Sequence, residues 1–261
     1  MSSLFFEGSA GQLYGCYDAP RGAARKTGVV IASAHGHEYV QFHRAFVQLA
    51  RMLAESGVAV FRFDYCGCGD SGGDPESWSL DQWSSDLDHA VGELARLSGV
   101  DRIGVVGLRL GGTIACRSDE LHSRIDFNVL WDPVVDGLAF LQELRDAHQV
   151  MLRHAHVTAS RDASHGEELL GFPAPSSWVA ELETIELADS APTSLPPTLL
   201  IESNPHHSQA LFRNKLAGSP NFRHEVFSNE FLWAWTEDFA RVHIPIPILR
   251  AIVEHVQEQC T

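Results

Sequence analysis

The stretch "RIGVVGLRLGGTIA" (residues 102–115) decides the reading of this chain. "RIGVVG" has the small and β-branched residues of a buried strand, and "LGGTIA" opens a helical run, with glycines at 107, 111 and 112 crowding the junction. Glycines spaced in this way allow a strained strand-to-helix turn whose middle side chain stands out at the rim of a sheet. That middle residue is Arg109. A guanidinium stays protonated at any working pH, so the tip of the turn carries no nucleophile.

Working outward, residues 3–18 read as a hairpin and 28–34, "GVVIASA", as a buried strand. After a loop, "HRAFVQLARMLAESG" has helical spacing (Phe46, Leu49, Ala50, Leu53) and stops at Gly57. "VAVFRFDY" (58–65) is a strand, and Ser79 caps a helix running to about residue 97. "IDFNVLWD" is a strand ending at Asp132. Strands alternating with helices at this spacing imply a mostly parallel sheet with helices on both faces, and ligands at the carboxyl ends of its strands. Residues 134–190 break the rhythm: they hold helical stretches but no convincing strand, and read as a helical lid inserted into a core of residues 1–133 and 191–261. The sheet resumes at 196–202 and 222–227, and "IPILRAIVEHVQEQ" forms a last helix.

Composition bounds the function. With 19 Lys and Arg against 34 Asp and Glu, the net charge of −15 is spread along the chain and argues against nucleic acid or anionic membrane as partner. No apolar run is long enough to span a bilayer, and "MSSLFFEGSAGQLYG" lacks the basic start of a signal peptide. Five scattered cysteines suit a reducing compartment, so a cytoplasmic protein is expected. The partner expected is a small-molecule or acyl ligand, without a cofactor; a homodimer stays open.

Three segments carry a resemblance. "FRFDYCGCGDSGGD" (61–74) resembles the strand-and-turn signature of α/β hydrolases, and "GLRLGG" (107–112) stands where that superfamily places its nucleophile elbow. "AHGHEYVQFHR" (34–44) is similar to its oxyanion-hole loop. "GLRLG", "VLWDPVVDG" (129–137) and "LLGFPAPSSWVAELETIEL" (169–187) further resemble the exosortase-A-associated hydrolase type 2 group and related serine aminopeptidase-like sequences, in which the elbow also carries arginine. The resemblance implies an α/β-hydrolase fold with a helical lid after Asp132. Activity does not follow from fold alone.

In that fold the acid follows the strand at 196–202, yet here the turn offers Asn204, with Glu202 still inside the strand. Where the histidine is sought stand Trp233 and Trp235, with His243 as the only imidazole before the last helix. Serine, acid and histidine are thus all displaced. Arg109 and Asp132 remain, with two readings: a bidentate salt bridge plugging a retired site, or an arginine that binds a carboxylate or phosphate, helped by the backbone N–H of Leu110 and one near His37. His35, Gly36 and His37 would line the pocket. A metal held by His35, His37 and His43 is disfavoured, since zinc needs three or four converging ligands. Cys66, Cys68 and Ser71 belong to the tight turn, and the histidines at 154, 156, 206 and 207 to surface or lid segments.

Overall fold

The computed structural model describes residues 1–156, 167–192, 195–203, 207–227, Trp233 and 244–260. Strands β1 (Ser2–Gly8) and β2 (Gly11–Asp18) form the expected hairpin, followed by β3 (Thr27–Ala32), α1 (Gly36–Glu55) and β4 (Ala59–Phe63). Then come α2 (Leu80–Ser98), β5 (Arg102–Leu108), α3 (Leu110–Arg117), α4 (Asp119–His122) and β6 (Phe127–Trp131). The segment after β6 carries α5 (Gly137–His154), β7 (Glu167–Leu169), β8 (Phe172–Ala174), α6 (Ser176–Glu183) and α7 (Leu187–Ser190). The chain closes with β9 (Thr198–Glu202), α8 (His207–Leu216), β10 (Phe222–Val226) and α9 (Ile246–Glu258).

Eight strands make one sheet in the order β1-β2-β4-β3-β5-β6-β9-β10, antiparallel only at its β1-β2-β4 edge. Strands β3, β6 and β9 are buried along their whole length, as unbroken apolar runs in a sheet covered on both faces should be. One face packs on α1 and α9 through Phe42, Phe46, Leu49, Ile248 and Ile252. The other packs on α2, α3 and the segment after β6 through Trp83, Leu87, Ile114, Leu141 and Trp178. Among the described residues, no helix is long and apolar enough to cross a membrane.

Three local expectations are corrected. Residues 36–42 are not loop but the first two turns of α1: Glu38 sits in the first turn, where a carboxylate complements the helix dipole, and Phe42, Ala45, Phe46 and Leu49 continue its buried face. Residues 134–190 do contain strands, a two-stranded hairpin of three residues each turning at Leu170 and Gly171. Residues 207–216, not read as an element, are helical.

The segment after β6 is pinched at its base. Asp136 bridges Glu186, Gly137 N–H donates to the Ile185 carbonyl (2.9 Å), and Leu187 N–H donates to that of Val135 (2.9 Å). Gly137 allows this approach, because a Cβ there would lie 1.7 Å from the Leu182 carbonyl oxygen. Gly137→Ala should therefore cost about 1–3 kcal/mol as the two chains are forced apart. Urea denaturation of wild type and variant measures the difference; equal midpoints would show that the pinch yields freely.

Candidate functional site

Arg109 follows β5 directly and adopts φ 47°, ψ −119°, a conformation that side chains rarely take. The turn is held from several sides. Arg109 N–H donates to the Trp131 carbonyl (3.0 Å), and its own carbonyl accepts from Thr113 N–H (3.1 Å) and Thr113 Oγ1 (3.2 Å). A Cβ on Gly111 would stand 2.3 Å from the Ala32 carbonyl oxygen, so α3 can approach β3 only through glycine. The elbow is intact and its tip is cationic. Leu110, the first residue of α3, contributes one of the N–H groups that a helix's first turn leaves unpaired.

The Arg109 side chain lies folded into the protein, 8% exposed. Its Nε donates to Glu38 Oε1 (2.8 Å) and its Nη2 to Glu143 Oε2 (3.2 Å). The guanidinium carbon lies 5.3 Å from the Phe140 ring centre and 5.1 Å from that of Trp233. Burial alone would weaken its charge, but Glu38 and Glu143, with Asp132 behind them, outweigh burial and hold the arginine above its ordinary value. The two carboxylates are unequal. Glu38 is buried, whereas the Glu143 side chain is 53% exposed and its bond correspondingly screened.

Asp132 is not the partner of Arg109, against the expected bidentate bridge. It stands at the end of β6 with φ 43° and turns its carboxylate to other donors. Oδ1 accepts from Ser203 N–H (2.8 Å), and Oδ2 accepts from Trp233 Nε1 (3.0 Å) and from the Ser203 hydroxyl. Burial raises its carboxyl above the usual range, against the Ser203 bonds, the Arg109 charge and the Trp233 bond, which pull it down. Ser203 was missed by sequence reasoning: it follows β9 immediately, at the place given to Asn204, which lies outside the described residues.

Trp233 is the pivot. Its indole N–H serves Asp132 as the N–H of an imidazole would, its ring packs on Phe42 (4.4 Å between ring centres) and Trp131 (5.9 Å), and Arg109 rests over it. An indole nitrogen donates but cannot accept, so it takes no proton from a neighbour. Trp235 and His243 lie outside the described residues.

The remaining candidates divide. His37 Nε2 donates to the Trp233 carbonyl (3.0 Å), a buried bond that holds Trp233 in place. His35 turns away into a box of Trp78, Trp83 and Trp178, with ring centres 4.4, 4.8 and 5.2 Å away. His43 packs on Tyr39, so the three histidines do not converge. Between Gly36, His37, Phe140 and Trp178 the remaining space is about 20 Å³, little more than a water needs.

Comparison with solved structures fits this geometry. Est1E from Butyrivibrio proteoclasticus, with ferulic acid bound, superposes with a TM-score of 0.68 at 16% identity over 98% of both chains. The chain has the α/β-hydrolase fold. An esterase from Pyrococcus furiosus matches with a TM-score of 0.64 at 14% identity, covering 100% of this chain and 91% of that one. An α/β serine hydrolase without a lid from Xanthomonas campestris matches at 0.60 and 15%, covering 99% and 94%. No family model matches the chain, and no curated protein matches it. Identities this low establish the fold, and the chemistry must be read from the residues themselves.

Two measurements follow. Glu38→Ala strands a buried guanidinium and should cost about 3–5 kcal/mol, while Glu38→Ala combined with Arg109→Met should regain much of it. Equal losses in both variants, measured by urea denaturation, would mean the pair does not act as a unit. The second concerns acid. Burial, with His37 adding repulsion, lowers His35 to about 3, against 6.5 in an unfolded chain. As pH falls from 6.5 towards 3 the unfolded state takes up a proton that the folded state refuses, so stability drops across that window. His35→Phe should flatten the drop; an unchanged slope of stability against pH would show that His35 titrates freely.

Proposed function

We propose that this chain is a non-catalytic α/β-hydrolase homologue that binds a small-molecule or acyl ligand instead of turning one over. The observation that carries the reading is the buried Arg109–Glu38 pair at the elbow tip. A permanently protonated side chain stands where the attacking hydroxyl would be, and it is already neutralised. Trp233 supports the same conclusion by holding the donor place on Asp132 with a group that cannot act as a base. Anchoring an anionic ligand on Arg109 would require displacing Glu38 and Glu143, so the geometry favours the plug over the anion clamp among the two readings of the arginine.

In this reading residues 134–190 are a lid over a core of residues 1–133 and 191–261, with Phe140 and Glu143 of α5 closing down on Arg109. The likeness of "GLRLG" and the lid text to the exosortase-A-associated group suggests a role as an accessory in a cytoplasmic biosynthetic pathway, as a monomer or homodimer. The alternative is an enzyme in which Arg109, Asp132 and a histidine such as His243 perform acid–base work without serine.

The test is direct. Wild type should neither turn over p-nitrophenyl esters nor be labelled by a fluorophosphonate. Arg109→Ser with Glu38→Gln, which restores a hydroxyl without stranding a charge, should stay inactive because Trp233 is no base. Adding Trp233→His should be needed for any turnover. Labelling of a wild-type serine, or substantial activity without Trp233→His, would overturn the reading and point to a surviving base.

A further inference from the structure

A second cavity, of about 180 Å³, opens between the β3–α1 junction, the turn after β4 and the edge of β8; Arg109 does not line it. An apolar cavity of about 150 Å³ is enough to hold a benzene ring. The walls are mainly apolar, with the rings of Tyr39, Tyr65, Trp78 and Phe172 among them, and the lining includes neither lysine nor arginine.

One wall residue is a buried carboxylate. Asp64, 8% exposed, accepts from Tyr39 Oη on Oδ1 (2.9 Å) and from Asp70 N–H on Oδ2 (3.1 Å), and has no ion-pair partner among the described residues. Two neutral donors leave part of an ionised carboxylate's acceptor capacity unused. Arg62, two residues earlier on β4, is directed to Asp18 (3.6 Å). His35 also lines the cavity, with Nδ1 3.8 Å from Cys68 Sγ, and burial keeps its ring neutral, so it supplies no positive charge. A carboxylate with acceptor capacity to spare and the aromatic faces beside it both attract cations. The protein's net charge of −15 adds to the same preference.

We propose that this cavity is a binding site for a small organic ammonium ion, which would set its charge against Asp64 and its apolar body between Trp78 and Phe172. The proposal deepens the reading of the chain as a binding protein by naming the ligand class, and rests on that reading for there being a physiological ligand. Chemically the site is an electrostatic mirror of the elbow: there a cation is buried with its counter-charge inside the protein, here an anion is buried and its counter-charge comes from outside.

Calorimetric titration of the full chain at pH 7 with benzylamine, benzamide and benzoate compares one ring carrying positive, no and negative charge. Benzylamine should bind about tenfold or more tightly than benzoate, with benzamide between them, the scale expected of one charge-assisted hydrogen bond. Asp64→Asn should remove the preference for benzylamine over benzamide. Cys68→Leu, which fills the cavity, should abolish binding of both while leaving the circular dichroism spectrum unchanged. If Asp64→Asn disturbs the turn it belongs to, the wild-type series and Cys68→Leu decide. Benzoate binding as tightly as benzylamine, no heat from any probe at about 10 mM, or binding indifferent to Cys68→Leu would overturn the proposal. Ester turnover is tested separately at the elbow, so either idea can fail without the other.

Discussion

The structure around the elbow depends on one constraint: a guanidinium buried at the tip of a strained turn must be neutralised inside the protein. Moving an isolated charge of that size out of water costs several kcal/mol even after the surroundings relax, so Arg109 cannot be accommodated by shape alone. Glu38 meets most of this demand because it is itself buried, and in an interior of low dielectric the two charges attract far more strongly than an exposed pair would. Glu143, half in solvent, contributes more to orientation than to energy. Phe140 and Trp233 then cover the delocalised cation with aromatic faces, which suits guanidinium better than ammonium. Lysine at 109 would keep the charge and lose both the fork that reaches two carboxylates and the planar surface that stacks.

The residues at positions 109 and 233 make sense together. A serine hydrolase needs a hydroxyl, an imidazole that accepts its proton and a carboxylate that orients the imidazole. Here the carboxylate of Asp132 receives an aromatic N–H from an indole, which has no second nitrogen to pass a proton. The face of that indole meets a guanidinium. Neither the guanidinium nor the indole can take a proton from a neighbour. Asp132 takes two bonds from Ser203 and one from Trp233, which ties the end of β6 to the end of β9 and to Trp233.

What could be read from the chain follows from what is local. The elbow was legible because glycine spacing and strand-to-helix pattern are properties of a dozen consecutive residues, and the alternation of strands and helices fixed the sheet for the same reason. The partner of Arg109 was not legible, because Glu38 lies 71 residues away and the stretch containing it read as loop. A signal did exist: Glu38, Phe42, Ala45, Phe46 and Leu49 share one helical face, so extending α1 backwards would have put a carboxylate on its buried side. Asp132 was the nearer candidate in the fold and attracted the assignment, yet its oxygens were claimed by Ser203 and Trp233. The β7–β8 hairpin escaped because three-residue strands carry too few alternations to show a period.

Why the elbow should carry arginine at all is a separate question from how it is neutralised. A leucine or methionine of similar volume would fill the space without importing a charge, and exchanging buried ion pairs for apolar groups is often neutral or stabilising. Net stability is therefore a poor reason for the pair. Direction is a better one. From a single position Arg109 reaches α1 through Glu38, α5 through Glu143 and Phe140, and the ring of Trp233. An apolar side chain would touch the same elements but accept many relative orientations, whereas hydrogen bonds from a rigid planar fork accept few. The charge cluster thus constrains how α5, and so the segment after β6, sits on the sheet, beside the pinch at that segment's base. In that sense the elbow acts as a clasp between the sheet and the segment that follows β6.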